Sequence, residues 1–182
     1  MAEVKILFLG YYSLVSAGRS CPTISLVRDE DLKIIVDPGT VPNQHIIIDK
    51  LKAEGLTPDD INIVLITHSH MDHYRNIGMF KNAKGFDYWG WVEGDVFTDY
   101  TTPISKDIDI IKTPGHSPLD ITMLVKTKEG TVAICGDVFW QENFPEKDPF
   151  ADNLKILAKS REMVLNSADF IIPGHGEMFK VT

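Results

Sequence analysis

The stretch Thr67-His68-Ser69-His70-Met71-Asp72-His73 puts three histidines and an aspartate within six residues, directly after the apolar run Ile63-Val64-Leu65-Ile66. A short continuous apolar run bounded by polar residues reads as a buried strand, so the pattern H-x-H-x-D-H sits at a strand's C-terminal end. With six histidines in 182 residues, random placement would produce this pattern with a probability on the order of one in a thousand. Residues at i and i+2 of an extended chain project to the same side, and neutral imidazole with carboxylate suits zinc, iron or manganese. Asp72 and His73 are adjacent, so a turn or helix start has to bring them to one site.

Two of the remaining histidines and one more aspartate share a local design. His116 lies in Thr113-Pro114-Gly115-His116-Ser117-Pro118, His175 in Pro173-Gly174-His175-Gly176, and Asp137 in Gly136-Asp137-Val138. Each follows an apolar run and sits on a Gly or Pro loop, and strand ends of one domain can converge on one edge, where loops carry chemistry. Taken singly, His116 or His175 reads equally well as a hydrogen-bonded structural histidine. Together with the H-x-H-x-D-H motif they read as ligands. His45, in a helical segment without a partner motif, reads as a surface residue.

Around these loops the chain reads as two blocks of strands with helices between them. Strand-length apolar runs cover 4–12, 23–28 and 33–36, the last stopped by Asp37-Pro38-Gly39, and together they suggest a β-meander. A helical pattern follows from Pro42 to Gly55, then a strand over 62–67 and a short helix carrying Tyr74, Ile77 and Phe80. The Gly- and aromatic-rich stretch 85–103 reads as a loop or lid. Further strands are expected at 108–112, 121–127, 131–135 and 169–172, and a helix over 152–166. The expected fold is α/β (α+β), a four-layer αββα sandwich of two sheets with helices outside, in a single domain spanning 1–182.

Bulk composition narrows the function. At 182 residues there is room for one domain, and 43% hydrophobic with 24% charged residues excludes wholesale disorder. A net charge of −8 opposes long-range attraction to phosphate backbones or anionic lipid. Cys21 and Cys135 lie far apart without CxxC spacing, so neither a disulfide framework nor a thiolate zinc site is expected. The apolar stretch 6–18 is shorter than the roughly 20 residues of a membrane-spanning helix, and Met1-Ala2-Glu3-Val4-Lys5 lacks the positive charge of a signal peptide. A cytoplasmic location with no membrane partner is the expectation. The oligomeric state stays open, a homodimer included.

The motif set H-x-H-x-D-H, Gly115-His116, Gly136-Asp137 and Gly174-His175 resembles the metallo-β-lactamase-fold superfamily, over essentially the whole chain. The resemblance implies that His68, His70 and His116 hold one divalent metal, that Asp72, His73 and His175 hold a second, and that Asp137 bridges them. It also implies that Asp37, otherwise a turn former in Asp-Pro-Gly, supports the metal loops. Within the superfamily, 63–73, Gly136-Asp137-Val138-Phe139 and 167–181 look like a subgroup associated with endonucleolytic cleavage of RNA. His70 stands where the redox diiron branch has Glu. With seven residues after His175, neither the C-terminal helical domain of glyoxalase II nor the cap of the β-CASP nucleases is expected.

Two divalent ions, zinc first with iron or manganese as alternatives, imply a hydrolase using a metal-bridging hydroxide, with Asp72 and Asp137 as the catalytic carboxylates. The substrate is expected to be single-stranded RNA or a small molecule such as a thioester or lactone; a mononuclear iron persulfide dioxygenase and a non-catalytic metal-binding domain are the other readings. Tyr88, Trp89 and Trp91, with Phe139-Trp140 directly after Asp137, are candidate substrate contacts that would stack bases or wall in an acyl group; their competing role is to cover the core. Arg75, Lys81 and Lys84 read as solvated, and no phosphate track is visible. Cys135 reads as a small buried hydrophobe.

Overall fold

The computed structural model describes residues 1–13 and 18–182; residues 14–17, within the apolar stretch 6–18, lie outside the described residues. Its strands are β1 Glu3–Phe8, β2 Tyr11–Ser13, β3 Arg19–Cys21, β4 Ile24–Asp29, β5 Leu32–Val36, β6 Ile63–Leu65, β7 Lys84–Asp87, β8 Gly90–Glu93, β9 Val96–Thr98, β10 Ile108–Lys112, β11 Ile121–Thr127, β12 Gly130–Ile134, β13 Phe170–Ile172 and β14 Phe179–Lys180. The helices are α1 His45–Ala53, α2 Met71–Tyr74 and α3 Leu154–Ser167. One sheet runs β1-β4-β5-β6-β7-β8-β9, the other β10-β11-β12-β13-β14, and β2 pairs with β3 as a separate hairpin.

Burial separates the layers. Val27, Ile34, Val36, Leu65 and Phe86 of the first sheet pack against Ile121, Met123, Val125, Ile134 and Ile172 of the second. On the outer face of the first sheet, Leu26, Ile35 and Val64 meet Ile47 and Leu51 of α1. On the outer face of the second, Ala133 and Ile171 meet Leu157 and Val164 of α3. Alternate residues of a strand face opposite sides, which is why Ile34 and Ile35 serve different cores. The result is the expected αββα sandwich.

Chain direction places the site. The crossover through α1 makes β5 and β6 parallel, pairing Val36 with Leu65, and the crossover through α3 makes β12 and β13 parallel, pairing Ile134 with Ile172. Parallel strands end at the same edge, where open α/β sheets bind ligands. Asp37 follows β5, His68 follows β6, Asp137 follows β12 and His175 follows β13. Strand β10 runs antiparallel to β11, and β11 to β12, so β10 delivers His116 to that edge as well. β1 shares the direction of β5 through antiparallel β4, so the β2–β3 hairpin hangs there too.

The structure corrects two expectations. The run 4–12 is two strands, because the chain at Gly10 passes so close to Pro22 and Thr23 that a Cβ would overlap their backbone. The stretch 85–103 is neither loop nor lid over most of its length: β7, β8 and β9 form an antiparallel meander extending the first sheet. Phe86 meets Trp91 and Tyr100 edge to face at 4.8 and 5.2 Å, so its aromatics anchor the sheet while Gly85, Gly90 and Gly94 interrupt the alternation that would have revealed strands. Among the described residues no helix is long and apolar enough to cross a membrane.

Candidate metal centre

The histidine motif divides between two local structures. His68 and His70 leave β6 in extended chain, and α2 begins at Met71 with His70 as its N-cap in β conformation. The helical turn swings Asp72 and His73 to a common side, as their adjacency requires. Seven residues then gather in two groups whose candidate ligand atoms lie within 4.8 Å of one another: His68, His70, His116 and Asp137 in one, Asp72, His73 and His175 in the other.

In the first group His70 Nδ1 stands 3.0 Å from His68 Nε2 and 3.0 Å from His116 Nε2. Asp137 faces both groups. Its Oδ2 is 3.4 Å from His116 Nε2, and its Oδ1 is 3.3 Å from His73 Nε2 and 3.2 Å from His175 Nε2. Asp72 Oδ2 lies 3.8 Å from His175 Nε2 and 4.0 Å from His73 Nε2.

The opposite ring nitrogens explain why these atoms point inward. His73 Nδ1 donates to Asp37 Oδ2 at 2.8 Å, His116 Nδ1 to Asp148 Oδ2 at 2.7 Å and His175 Nδ1 to the Cys21 carbonyl at 2.9 Å. Thr67 gives its hydroxyl proton to Asp37 and so accepts from His68 Nδ1 at 3.2 Å. Four imidazoles are thereby fixed with Nε2 facing the centre, the outer arrangement typical of metal-binding histidine. Asp37, in a left-handed conformation with φ 48, also accepts from the Thr67 backbone N–H at 2.8 Å. These contacts place Asp37 behind both His73 and Thr67.

A cation fits this donor set. Among the described residues, His73 Nε2 and Asp137 Oδ1 are buried without a hydrogen-bond partner, a costly condition that a shared metal relieves. Burial disfavours charge on His73, but Asp137 and Asp37 outweigh it and hold the imidazole well above its ordinary range. Burial likewise opposes ionisation of Asp137, and His73 with His175 outweighs it, keeping the carboxyl well below the usual range. His68, buried and next to His73, is pushed well below its ordinary value and stays neutral. Without an ion, a proton on His73 supplies the positive charge that Asp137 and Asp37 favour, and a cation bound there would displace it. Space is equally committed: a Cβ on Gly174 would overlap Asp137 Oδ1.

The candidate substrate contacts separate. Tyr88 and exposed Trp89 line a cleft of about 420 Å³ together with His68, Ser69, Ile66, Ile77 and Leu119, and Lys112 Nζ lies 3.9 Å above the Tyr88 ring. Trp91 packs on Phe86 in the core between the sheets. Phe139 lies against Phe179, beneath the Arg161 guanidinium. Trp140 is buried and backs the ligands, with its ring 6.0 Å from His116 and 6.4 Å from His175. The sequence assigns no role to Thr67, although it leads into the histidine motif, nor to Asp148 and Ser20, whose hydroxyl donates to Asp72 Oδ2; the last two belong to no motif, so no local signal marks them.

This fold and ligand set define a metallo-hydrolase, and the chain belongs to the metallo-β-lactamase superfamily, whose family model matches residues 22–97. Metallo-beta-lactamase domain-containing protein 1 of Xenopus laevis is 32% identical, over 98% of this chain and 82% of its own. Among solved structures, a putative metallo-beta-lactamase from Thermotoga maritima has a TM-score of 0.77 at 23% identity, covering 98% of this chain and 99% of that one. AidC, a dizinc quorum-quenching lactonase solved with its product, has a TM-score of 0.67 at 15% identity, covering 87% and 73%.

Proposed function

We propose that this protein is a dinuclear zinc hydrolase acting on phosphodiesters of single-stranded RNA. The observation that carries the dinuclear reading is the division of Asp137, with Oδ2 turned to His116 and Oδ1 to His73 and His175. One carboxylate facing two separate imidazole sets is the donor arrangement of a bridged pair of ions. Imidazole and carboxylate together suit zinc, and AidC, similar in fold, is described as dizinc. Such ions supply Lewis acidity and a nucleophile at neutral pH by lowering the pKa of water towards 7.

The chain's own residues supply orientation. Asp37, Asp148, Thr67 and the Cys21 carbonyl hold the imidazoles, so no reorganisation is needed when a substrate arrives. Asp137 is enclosed, its side chain 7% exposed, whereas that of Asp72 is 25% exposed. Asp72 is therefore the carboxylate able to hold a substrate-side proton at its carboxylate oxygens. Trp89 and Tyr88, on the cleft that reaches His68 and Ser69, offer a stacking surface for one base, worth about 1–3 kcal/mol.

A second reading rests on the same cleft. Ile66, Ile77 and Leu119 make much of its wall apolar, which suits the acyl part of a thioester or lactone. Zinc-loaded protein offered single-stranded RNA, glutathione thioesters and acyl lactones, each with a chelator control, separates the readings. RNA cleavage that the chelator abolishes is expected. Intact RNA beside hydrolysed thioester or lactone overturns the RNA reading, and one iron per chain with oxygen uptake on glutathione persulfide overturns the hydrolytic one.

A further inference from the structure

We propose that Tyr12 is a substrate-binding residue whose phenol donates a hydrogen bond to a negatively charged oxygen of the tetrahedral group held at the metal centre. The inference rests on the hydrolytic reading above but not on which bond is cleaved, since phosphoryl and acyl substrates both place such an oxygen there.

The position of Tyr12 follows from strand pairing. Tyr12 and Ser20 are direct partners across the β2–β3 hairpin, and residues opposite one another in an antiparallel pair share a face. The Ser20 hydroxyl donates to Asp72 Oδ2, so this face of the hairpin is turned to the metal centre. On the same face the Tyr12 ring lies 5.8 Å from the His175 ring and meets Trp140 edge to face at 4.6 Å. The ring is thus fixed between a metal-binding histidine and the buried indole behind it.

The hydroxyl is the part without a structural use. Tyr12 is half-buried, and among the described residues its phenol makes no hydrogen bond, which leaves the hydroxyl open to a ligand. Burial, and after it the carboxylates of Asp137, Asp148 and Asp72, holds its pKa above the ordinary value. A phenol's ordinary pKa of about 10 already keeps its proton at neutral pH. A fixed, protonated donor beside a site where negative charge develops is the arrangement that stabilises an oxyanion.

The variant Tyr12→Phe removes the hydroxyl and keeps both ring contacts, so it isolates the donor from packing. Inorganic phosphate is the probe, titrated calorimetrically into zinc-loaded wild type and Y12F. Phosphate binding about tenfold weaker in Y12F, with unchanged zinc content and melting temperature, is the expected result. Equal affinities, or no phosphate binding by zinc-loaded wild type, overturn the proposal. Kinetics on whichever substrate the wild type cleaves distinguish this failure from that of the functional reading. If RNA is cleaved and Y12F has wild-type kcat and KM, the Tyr12 role falls while the RNA reading stands. If only a thioester or lactone is cleaved and Y12F loses kcat about hundredfold, the RNA reading falls while Tyr12 keeps its role.

Discussion

Asp37 Oδ2 lies 2.8 Å from His73 Nδ1, and the same carboxylate takes both the backbone N–H and the hydroxyl of Thr67, the residue that leads into the histidine motif. One residue directly after β5 therefore orients His73 directly and His68 through Thr67. Replacing Asp37 by Ala strands buried donors on both sides, at a cost of about 1–3 kcal/mol for each group left unsatisfied. We expect a lower melting temperature and zinc affinity reduced by about 10–100-fold, read by competition with a chromophoric chelator. Wild-type affinity in a folded D37A protein would contradict this role.

Asp148 does for His116 what Asp37 does for His73, from a distant loop, with a 2.7 Å contact to Nδ1. The variant Asp148→Asn retains an acceptor and is expected to lose less zinc affinity than Asp148→Ala, which should fall by about 10–100-fold. Equal affinities in the two variants would show that hydrogen bonding to His116 is not what Asp148 contributes.

Metal removal should be visible in stability as well as activity. His73 Nε2 and Asp137 Oδ1 are buried without partners, and a ligand that binds the folded state alone adds about 2.7 kcal/mol at a hundredfold excess over its Kd. Thermal melts with increasing zinc should rise for wild type and be much flatter for Asp137→Asn. Parallel rises in both would place the stabilising ion elsewhere.

Gly174 tests the packing behind the centre. A Cβ there would overlap Asp137 Oδ1, so Gly174→Ala has to displace the Asp137 carboxylate or the loop after β13. Activity is expected to fall at least about hundredfold, with zinc content below that of wild type. An active, fully loaded G174A protein would show that the loop yields freely.

Away from the site, Glu54 accepts from Lys5 Nζ and, at 3.0 Å, from Arg28 Nη1, and these partners hold its carboxyl below its ordinary value. A carboxyl with a lowered folded-state pKa stabilises above its unfolded pKa and loses that contribution as pH falls through the folded one. Wild type should thus exceed Glu54→Gln in stability at neutral pH, by no more than about 1 kcal/mol because the cations are partly exposed. The difference should vanish under acid conditions, and a gap that stays constant through acid pH would exclude the ion pair as its source.

Much of the architecture is written in local patterns. The apolar runs at β4, β5, β6, β11 and β13 stand out because most of each strand is buried, and β10 by its isoleucines; α3 stands out by the helical spacing of Leu154, Leu157, Ala158 and Leu165, of which Leu157 is buried while Leu154 and Leu165 are exposed. The β7–β9 meander escaped because glycines break its alternation, and β2, β3 and β14 because two or three residues carry no period. All seven candidate ligands sit on short motifs: H-x-H-x-D-H points to metal by residue type and spacing, while His116, Asp137 and His175 join it only beside that motif and through the family resemblance. Apart from Thr67 with its neighbour His68, their supporting contacts span 32 to 154 residues, from Asp148 with His116 to Cys21 with His175, and no local pattern encodes a contact of that range.

The sequence by itself marked the candidate donors and the strands that lead to them, because residue type and apolar periodicity are local properties of the chain. Only the tertiary structure decided that Asp137 faces both histidine groups, that Asp148 orients His116, that Trp91 packs into the core while Trp89 stays on the rim, and that Tyr12 reaches the metal edge. Those outcomes depend on the direction of parallel strands across two crossovers and on which side chains the packed layers leave exposed. Neither exists until the two sheets have closed on each other.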